Sequence, residues 1–256
     1  MKFVKGSALH AINDTEPELG EKKILELLDV MDNFIPLPSR PVDKPFMMSI
    51  EGTYNIKGRG AVATGTVEQG RVKVGDEVEL IGYDATGTKA TITGIETFNK
   101  TLDSGEAGDN VGVLIRGFTR EQLYRGKLWL KVGLILAKPK TLTVHSVIEA
   151  NIYCLKTEEG GRKNPFSSGY RPQLYLRTAD TAAEIALPDN VKIAMPGDNL
   201  SIKAKLNFPL AIYQGARFAL REGGKTIAAG VVTKILPNDT VLDFGRPHKQ
   251  KAEKPG

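Results

Sequence analysis

The stretch YNIKGRGAVATGTVEQG, residues 54–70, combines a Gly-Arg-Gly element with alternating β-branched residues. A phosphate-binding loop of the GxxxxGK[ST] type needs backbone N–H groups around a phosphate, a lysine and a hydroxyl, and no such string occurs in this sequence. The dinucleotide fingerprint GxGxxG fails as well, because Ala63 stands at the position of the third glycine and no helical pattern follows. Val62, Thr64 and Thr66 alternate instead, which predicts one strand of a twisted β-hairpin.

The same β-pattern continues through most of the chain. Short strands separated by Gly, Pro and Asp, without long helices between them, predict antiparallel barrels rather than a parallel sheet. The predicted strands span residues 46–50, 61–67, 77–81, 89–98, 110–116, 147–155, 171–176, 183–187, 200–206, 217–222 and 226–236.

A related phrase recurs three times, as VKVGDEVEL, GEAGDNVGVL and AMPGDNLSI. In each phrase Gly-Asp is expected to form a turn, and the apolar residue two positions after the aspartate begins a strand. This pattern favours a structural role in turns for Asp76, Asp109 and Asp198 over metal or acid chemistry. Because the first two phrases precede residue 140 and the third follows it, two barrels are predicted.

The N-terminal segment has a different pattern. Residues 3–4 resemble a strand fragment, and Ile24, Leu28 and Ile35 recur at helical spacing, which predicts an amphipathic helix over 21–35. The proline-rich string IPLPSRPVDKP predicts an extended linker after the helix. We expect these residues to be the end of a larger domain.

Composition narrows the classes of function. The net charge of +5 favours a polyanionic partner such as nucleic acid, although ordinary basic proteins share this excess. The single cysteine, Cys154, excludes an intrachain disulfide framework and suits a reducing compartment. The sequence has no HExxH motif, no GxSxG motif and no apolar run of membrane-spanning length, so we expect no metal site and no membrane association.

Two glycine-rich strings carry charges of both signs, TEEGGRKNPF at 157–166 and REGGKT at 221–226. Each alone is typical of a solvated hairpin loop. Together, their cations and backbone N–H groups could instead line a phosphate backbone without reading its sequence. The residues alone therefore indicate two β-barrels with a candidate anion-binding surface.

Longer strings resemble one family, translation elongation factor Tu. They include GRGAVATGTVEQGRVKVGDEVEL, GIETFNKTLDSGEAGDNVGVLIRG, LAKPKTLTVH, EEGGRKNPFSSGYRPQLYLRTAD and RFALREGGKTIAAGVVTKIL. The resemblance covers nearly all of residues 3–236 and implies a mainly β protein with two antiparallel β-barrels in tandem, a translation-protein-type barrel and an elongation-factor C-terminal barrel. The implied domains are residues 1–38, the last strand and helix of the GTPase domain with its linker; 39–139, barrel domain 2; 140–238, barrel domain 3; and 239–256, a disordered basic tail.

The resemblance implies binding of aminoacyl-tRNA and its delivery to the ribosomal A site in a GTP-dependent cycle. The full-length family uses GTP, magnesium and a nucleotide exchange factor. The family motifs GHVDHGKT, DCPGH and NKCD do not occur here, and the string KGSAL, with Gly6, Ser7, Ala8 and Leu9, resembles the last guanine-contacting loop. We therefore expect a chain without the GTP-binding core, a fragment or truncated gene model, that neither binds nor hydrolyses GTP and uses no cofactor.

Two other classes of function stay open, a stand-alone RNA-binding module and a structural subunit of a larger assembly. The expected partners are aminoacyl-tRNA, the ribosome and, for the full-length family, the exchange factor. The basic C-terminal extension favours the mitochondrial matrix over a bacterial or plastid interior.

The resemblance also assigns site residues. Glu96 would accept a hydrogen bond from the 2′-hydroxyl of the terminal adenosine, Phe98 would contact its base, and Asn110 would shape the amino-acid pocket. Arg59 would lie beside this 3′ end, and Arg125 would contact the 5′ phosphate. The complete set assigned to aminoacyl-tRNA is Glu51, Tyr54, Ile56, Arg59, Glu96, Phe98, Asn110 and Arg125 in the first barrel and Arg162, Gln173, Arg221, Glu222 and Gly223, facing the T stem, in the second.

Some positions depart from the family pattern. Asn99, Ala182 and Phe208 replace residues that are usually polar or basic in the family, so each loses a polar contact. Lys140 replaces a turn glycine. About seven residues near 128–134, which include the single tryptophan, are additional.

Overall fold

The computed structural model describes residues 2–56, 60–82, 88–98, 100–116 and 134–244. The chain divides into two compact units, Met1–Arg40 and Pro41–Gly256. None of the described helices is both long and apolar enough to span a membrane.

The first unit contains two helices, α1 (Ala8–Ile12) and α2 (Glu21–Phe34). Ser7 caps α1 by accepting a hydrogen bond from the His10 backbone N–H at 3.3 Å. Neither helix has a buried residue, so the apolar face predicted for α2 is exposed. The strand expected at residues 3–4 is wrong, because this segment is coil and a β-strand requires a hydrogen-bonded neighbour.

The second unit is built almost entirely of strands. They are β1 (Met47–Ile56), β2 (Gly60–Gln69), β3 (Arg71–Lys73), β4 (Glu77–Ile81), β5 (Thr88–Thr97), β6 (Lys100–Leu102), β7 (Ser104–Glu106), β8 (Asn110–Arg116), β9 (Ile135–Ala137), β10 (Val144–Cys154), β11 (Gln173–Leu176), β12 (Ala179–Ala186), β13 (Asn199–Ala211), β14 (Arg217–Glu222) and β15 (Lys225–Leu236). A short 3-10 helix occupies Thr157–Glu159.

These strands form two closed antiparallel barrels, as predicted. Barrel 1 has the order β4-β9-β1-β2-β8-β5 and closes through the β4–β5 pair; β6 extends it beyond β5, and β3 pairs with β7. Barrel 2 has the order β10-β13-β12-β11-β14-β15. Each barrel encloses its own apolar core, the first around Met48, Ile95 and Leu136, the second around Ile148, Ile185 and Leu220.

The three Gly-Asp phrases form the same turn, which confirms their structural role. Asp76, Asp109 and Asp198 each accept a hydrogen bond from the backbone N–H three residues earlier, at 2.8, 2.9 and 2.8 Å. The preceding glycines have φ angles of 97°, 96° and 95°, in the left-handed region that side chains disfavour.

The described part of the C-terminal segment packs on barrel 2. Leu242 is buried against Val147 and Ala186, and Phe244 contacts the same cluster. Asn238 Oδ1 accepts a hydrogen bond from the Ser146 backbone N–H at 2.8 Å. The prediction of a disordered tail therefore differs from the structure at residues 239–244, because the apolar side chains of this segment pack on barrel 2. Residues 245–256 lie outside the described part.

Candidate nucleic-acid interface

A β-bulge in β1 places Glu51 on the outside of barrel 1. The register between β1 and β2 shifts between Ile50 and Gly52, so Glu51 is the additional residue, and bulges of this kind redirect a side chain. Glu51 Oε1 accepts a hydrogen bond from Thr66 Oγ1 at 2.9 Å. Asn110 Nδ2 lies 3.2 Å from Thr66 Oγ1 and 3.4 Å from Glu51 Oε2. A polar network thus joins three strands.

Beside this network lies a row of four paired residues across four strands, two of them glycines; we call this row the groove. Gly52, Thr64, Gly112 and Glu96 are paired in sequence across β1, β2, β8 and β5, so they share one face. A Cβ at Gly52 would lie 3.0 Å from Thr64 Oγ1, closer than most side chains tolerate. The exposed carboxylate of Glu96 lies at the β5 end of the groove.

Apolar side chains flank the groove. Tyr54 and Ile56 follow Gly52 at alternate positions of β1 and therefore lie on the same face; they are 63% and 40% exposed. Phe98, which follows β5 with a φ of 44°, is 91% exposed. Thr97 Oγ1 donates a hydrogen bond to the Asn110 backbone oxygen at 2.8 Å and so ties this turn to β8.

The structure therefore brings the described residues predicted for barrel 1 to one outer region. Carboxylates can accept hydrogen bonds from hydroxyl groups, and exposed rings can stack on bases. Arg59 and Arg125, which were also predicted, lie outside the described residues, as does Asn99.

In barrel 2, Arg162 lies between an aromatic ring and a carboxylate. Its guanidinium is 4.8 Å from the centroid of the Tyr170 ring, and Nη1 is 3.2 Å from Glu222 Oε2. The Phe166 ring stacks on the same tyrosine, with 4.9 Å between the two ring centroids. Burial raises the pKa of Tyr170 to about 12, and the Glu222 carboxylate adds to the increase. The phenol consequently stays neutral at physiological pH.

Arg221 is arranged in a similar way. Its guanidinium lies 5.2 Å from the Tyr175 ring centroid, and Nη2 donates a hydrogen bond to the Gly224 backbone oxygen at 2.7 Å. Gln173 pairs directly with Arg221 across β11 and β14. Gly223, with a φ of 53°, forms the tight β14–β15 turn beside them. The five residues predicted for this barrel therefore gather around one end of β14.

Sequence reasoning missed the side chains that support these residues. Thr66 follows Thr64 by two residues, which places both on one face of β2, but its contacts with Glu51 and Asn110 depend on strand register. Tyr170 and Tyr175 support the two arginines. Their spacing of five residues gives no periodic signal, because they lie on different sides of the β11 start.

The remaining positions named from the sequence have structural roles or lie outside the two candidate surfaces. Ser7, Ala8 and Leu9 form the start of α1 in the first unit. Ala182 pairs with Gln173 across β11 and β12, so the position that lacks a hydroxyl lies next to the predicted surface. Lys140, at the position of the family's turn glycine, adopts a φ of 64°, in the left-handed region that favours glycine. Of the additional segment near 128–134, the structure describes Leu134, which packs on the barrel 1 core.

Comparison with protein-family models gives two matches. Residues 60–128 match elongation factor Tu domain 2, and residues 141–236 match the elongation factor Tu C-terminal domain. The first match includes the groove strands β2, β5 and β8, and the second includes every strand of barrel 2. By these two barrels the chain belongs to the elongation factor Tu family, as an elongation-factor-like protein with partners in translation.

Proposed function

We propose that the two barrels bind aminoacyl-tRNA for delivery to the ribosomal A site in the GTP-dependent elongation cycle. Barrel 1 holds the aminoacylated 3′ end, and barrel 2 lies against the T stem. In this proposal the nucleotide and its exchange factor act through the GTPase domain of the family, while the residues that contact RNA belong to the barrels. The mitochondrial matrix stays a prediction.

The observation that carries the proposal is the groove on barrel 1. Single-stranded RNA ends are recognised by stacking on aromatic rings and by hydrogen bonds to the 2′-hydroxyl. The groove offers both groups, an exposed Phe98 ring and the Glu96 carboxylate two residues before it. Gly52 and Gly112 carry no side chains, so Thr64 and Glu96 supply the side chains of this four-residue row.

The network beside the groove suits the esterified amino acid. Asn110 is held by Glu51 and Thr66, so its amide has a fixed orientation towards this face. Amides and carboxylates whose own positions are already fixed can orient a polar ligand with little further loss of side-chain entropy. An α-amino group beside Glu51 would gain a charge-assisted hydrogen bond that a tRNA without the amino acid cannot form.

On barrel 2, the guanidinium groups suit a phosphate backbone. Arg162 and Arg221 are both positioned on tyrosine rings, and Arg221 also by Gly224. Arginines fixed in this way bind phosphate oxygens without reading bases. A double-stranded stem is recognised mainly through such contacts.

The experiment compares aminoacylated and deacylated forms of one tRNA by fluorescence titration of the full chain at low salt. We expect tighter binding of the aminoacylated form. Glu96→Gln removes a charged acceptor, so it should weaken binding of the aminoacylated form by roughly 10-fold or more. Glu77→Gln is the matched control, since Glu77 pairs with Thr91, five residues and about 17 Å along β5 from Glu96.

Equal affinity for both forms, together with no effect of Glu96→Gln, would contradict an acceptor-end site. Equal affinity that remains strongly dependent on salt would favour a general RNA-binding module instead.

A further inference from the structure

One arginine of barrel 2 reaches across to barrel 1. Arg177 lies in the two-residue turn between β11 and β12, whose closing pair is Leu176 and Ala179. Its φ of 53° is in the left-handed region, where a turn of this length favours glycine. Such a disfavoured conformation persists only where the surrounding contacts maintain it.

The side chain of Arg177 is fixed at three points. Nε donates a hydrogen bond to Glu68 Oε2 at 2.6 Å, and Nη1 donates one to the Ala211 backbone oxygen at 3.1 Å. The guanidinium also lies 4.9 Å from the centroid of the Tyr213 ring. Glu68 belongs to β2 of barrel 1, while the other contacts belong to barrel 2. The ion pair therefore connects the barrels.

Glu68 is itself held in place. Ser49 Oγ, on β1, donates a hydrogen bond to Glu68 Oε1, the oxygen that Arg177 does not contact. The side chains of Arg177 and Glu68 are 13% and 23% exposed, so both charges are largely removed from water. Such a pair is short and directional, but its attraction is offset by desolvation, so it contributes more to geometry than to stability.

A second contact between the barrels is apolar. Met47, Ile81 and Ala137 of barrel 1 pack against Ala211 of barrel 2, with Leu142 and Val144 beside them. The hydrophobic effect is non-directional, so this packing by itself sets the orientation of the barrels only weakly. Within the described residues, the ion pair is the charged directional contact of this junction, beside the hydrogen bond from the Lys140 backbone N–H to Glu79 Oε2 at 2.7 Å.

We propose that Arg177 is a positioning residue that fixes the orientation of barrel 2 relative to barrel 1. The consequence for RNA binding rests on the proposed function. If the orientation is fixed, the distance between the groove of barrel 1 and the arginines of barrel 2 is constant. A tRNA can then contact both surfaces without a prior change in the orientation of the barrels. A ligand that spans two rigidly connected surfaces gains affinity through effective concentration, which falls when the connection becomes loose.

The first experiment measures orientation without RNA. Spin labels attached at Lys73→Cys on β3 and Lys234→Cys on β15 report the distance between the barrels by pulsed electron paramagnetic resonance. Cys154 is buried and burial raises its pKa to about 11, so the native thiol stays unlabelled. We expect one narrow distance distribution for the parent chain and a broader or displaced one for Arg177→Met.

A second variant separates orientation from folding. Arg177→Met leaves the Glu68 charge buried without its partner, which destabilises the fold. The double variant Arg177→Met with Glu68→Met removes both charges, so it should stay folded and still give the broad distribution. Arg177→Lys, which retains charge but not the planar contacts with Tyr213, should be intermediate. An unchanged narrow distribution in the folded double variant would overturn the proposal.

The RNA measurement then distinguishes this proposal from the proposed function. The double variant should bind whole aminoacyl-tRNA about 10-fold more weakly but an aminoacylated acceptor-end fragment equally well, because the fragment reaches barrel 1 alone. Equal loss for both RNAs would contradict a positioning role. If the parent chain binds neither RNA, the proposed function fails, and the distance distributions still decide the role of Arg177.

Discussion

The candidate surfaces of the two barrels use aromatic side chains in opposite ways. On barrel 1, Tyr54 and Phe98 expose their rings beside carboxylates. On barrel 2, guanidinium groups lie over the rings of Tyr170 and Tyr175, and Tyr175 remains 37% exposed. A guanidinium over a ring occupies one of its two faces, so the barrel 2 rings offer less surface to bases than the rings of barrel 1. The first surface thus suits unpaired nucleotides, and the second suits phosphates.

The difference originates in strand geometry. The groove of barrel 1 depends on a bulge and on glycines that bring neighbouring strands together, whereas the arginines of barrel 2 lie at loops and at the end of a hairpin. Changes in the backbone should therefore impair the first surface most, and loss of a cation should alter the salt dependence of binding at the second.

The largest effect is expected from Gly65→Ala in barrel 1. A Cβ at Gly65 would lie 1.9 Å from the Ser49 backbone oxygen, at the bulge that positions Glu51. Because backbone atoms cannot move aside without breaking the β1–β2 pairing, the free energy of unfolding should fall by about 2–4 kcal/mol. Denaturant titration measures this change.

Gly94→Ala is the matched control for this substitution. Its Cβ would lie 3.6 Å from Leu114 Cβ, an ordinary contact, so stability should change by less than about 1 kcal/mol. Equal destabilisation by both variants would show that close approach at the bulge is not what makes Gly65 necessary.

The next effect is on stacking at barrel 1. Phe98→Ala removes a ring that is 91% exposed, so the fold should be unaffected. Loss of one base–aromatic stack should weaken binding of aminoacyl-tRNA by about 1–3 kcal/mol, measured by fluorescence titration. Phe98→Trp, which keeps an aromatic face, should retain affinity. An unchanged affinity for Phe98→Ala would remove this ring from the interface.

Substitution on barrel 2 should change the salt dependence of binding. Arg221→Gln removes one phosphate-binding cation, so the slope of log affinity against log salt should become shallower by about 1. Phe98→Ala should leave that slope unchanged. Lys234→Gln is the control, because Lys234 lies eight residues along β15 from Thr226, which pairs with Arg221. Equal slopes for both cation variants would contradict a specific phosphate contact at Arg221.

Much of this fold could be predicted from local patterns. The predicted bounds of β4, β8 and β14 coincide with the structure, and the repeated Gly-Asp phrase forms its turn three times. The strands β3, β6, β7 and β9 were missed. Each has three residues, too few for alternation to be distinguished from a loop.

The site was predictable to a different degree. The resemblance to the family named the candidate residues. The structure showed which neighbouring side chains hold them in position. The contact of Asn110 with Glu51 joins positions 59 residues apart, and the contact of Arg177 with Glu68 joins positions 109 apart. Such pairs depend on register and on barrel packing, which no local pattern encodes.

A smaller effect is expected where the barrels join. Lys140, with a φ of 64°, donates its backbone N–H to Glu79 Oε2 at 2.7 Å, so its conformation is held by barrel 1. Lys140→Gly relieves the left-handed strain but increases the entropy of the unfolded chain, and the net gain should be about 0.5–1 kcal/mol in denaturant titration. Gly215→Ala, at a φ of 90° in open space, is the reverse control and should lose a similar amount. A loss on Lys140→Gly would contradict strain at this position.

The smallest effect concerns pH and belongs to barrel 2. Burial lowers the pKa of His145 below its ordinary value of 6.5, and its Nε2 lies 2.7 Å from Thr143 Oγ1. Between the lowered folded pKa and 6.5, the unfolded chain binds more protons than the folded chain, so stability falls as pH decreases through this window.

His145→Gln should reduce the loss of unfolding free energy between about pH 7 and about pH 5, compared with the parent chain under identical conditions. Because His145 is the second residue of β10 and neither candidate surface includes it, RNA affinity at neutral pH should be unchanged. An identical pH profile in both proteins would show that the His145 proton is not linked to folding, and a loss of RNA affinity would extend the second surface towards the junction.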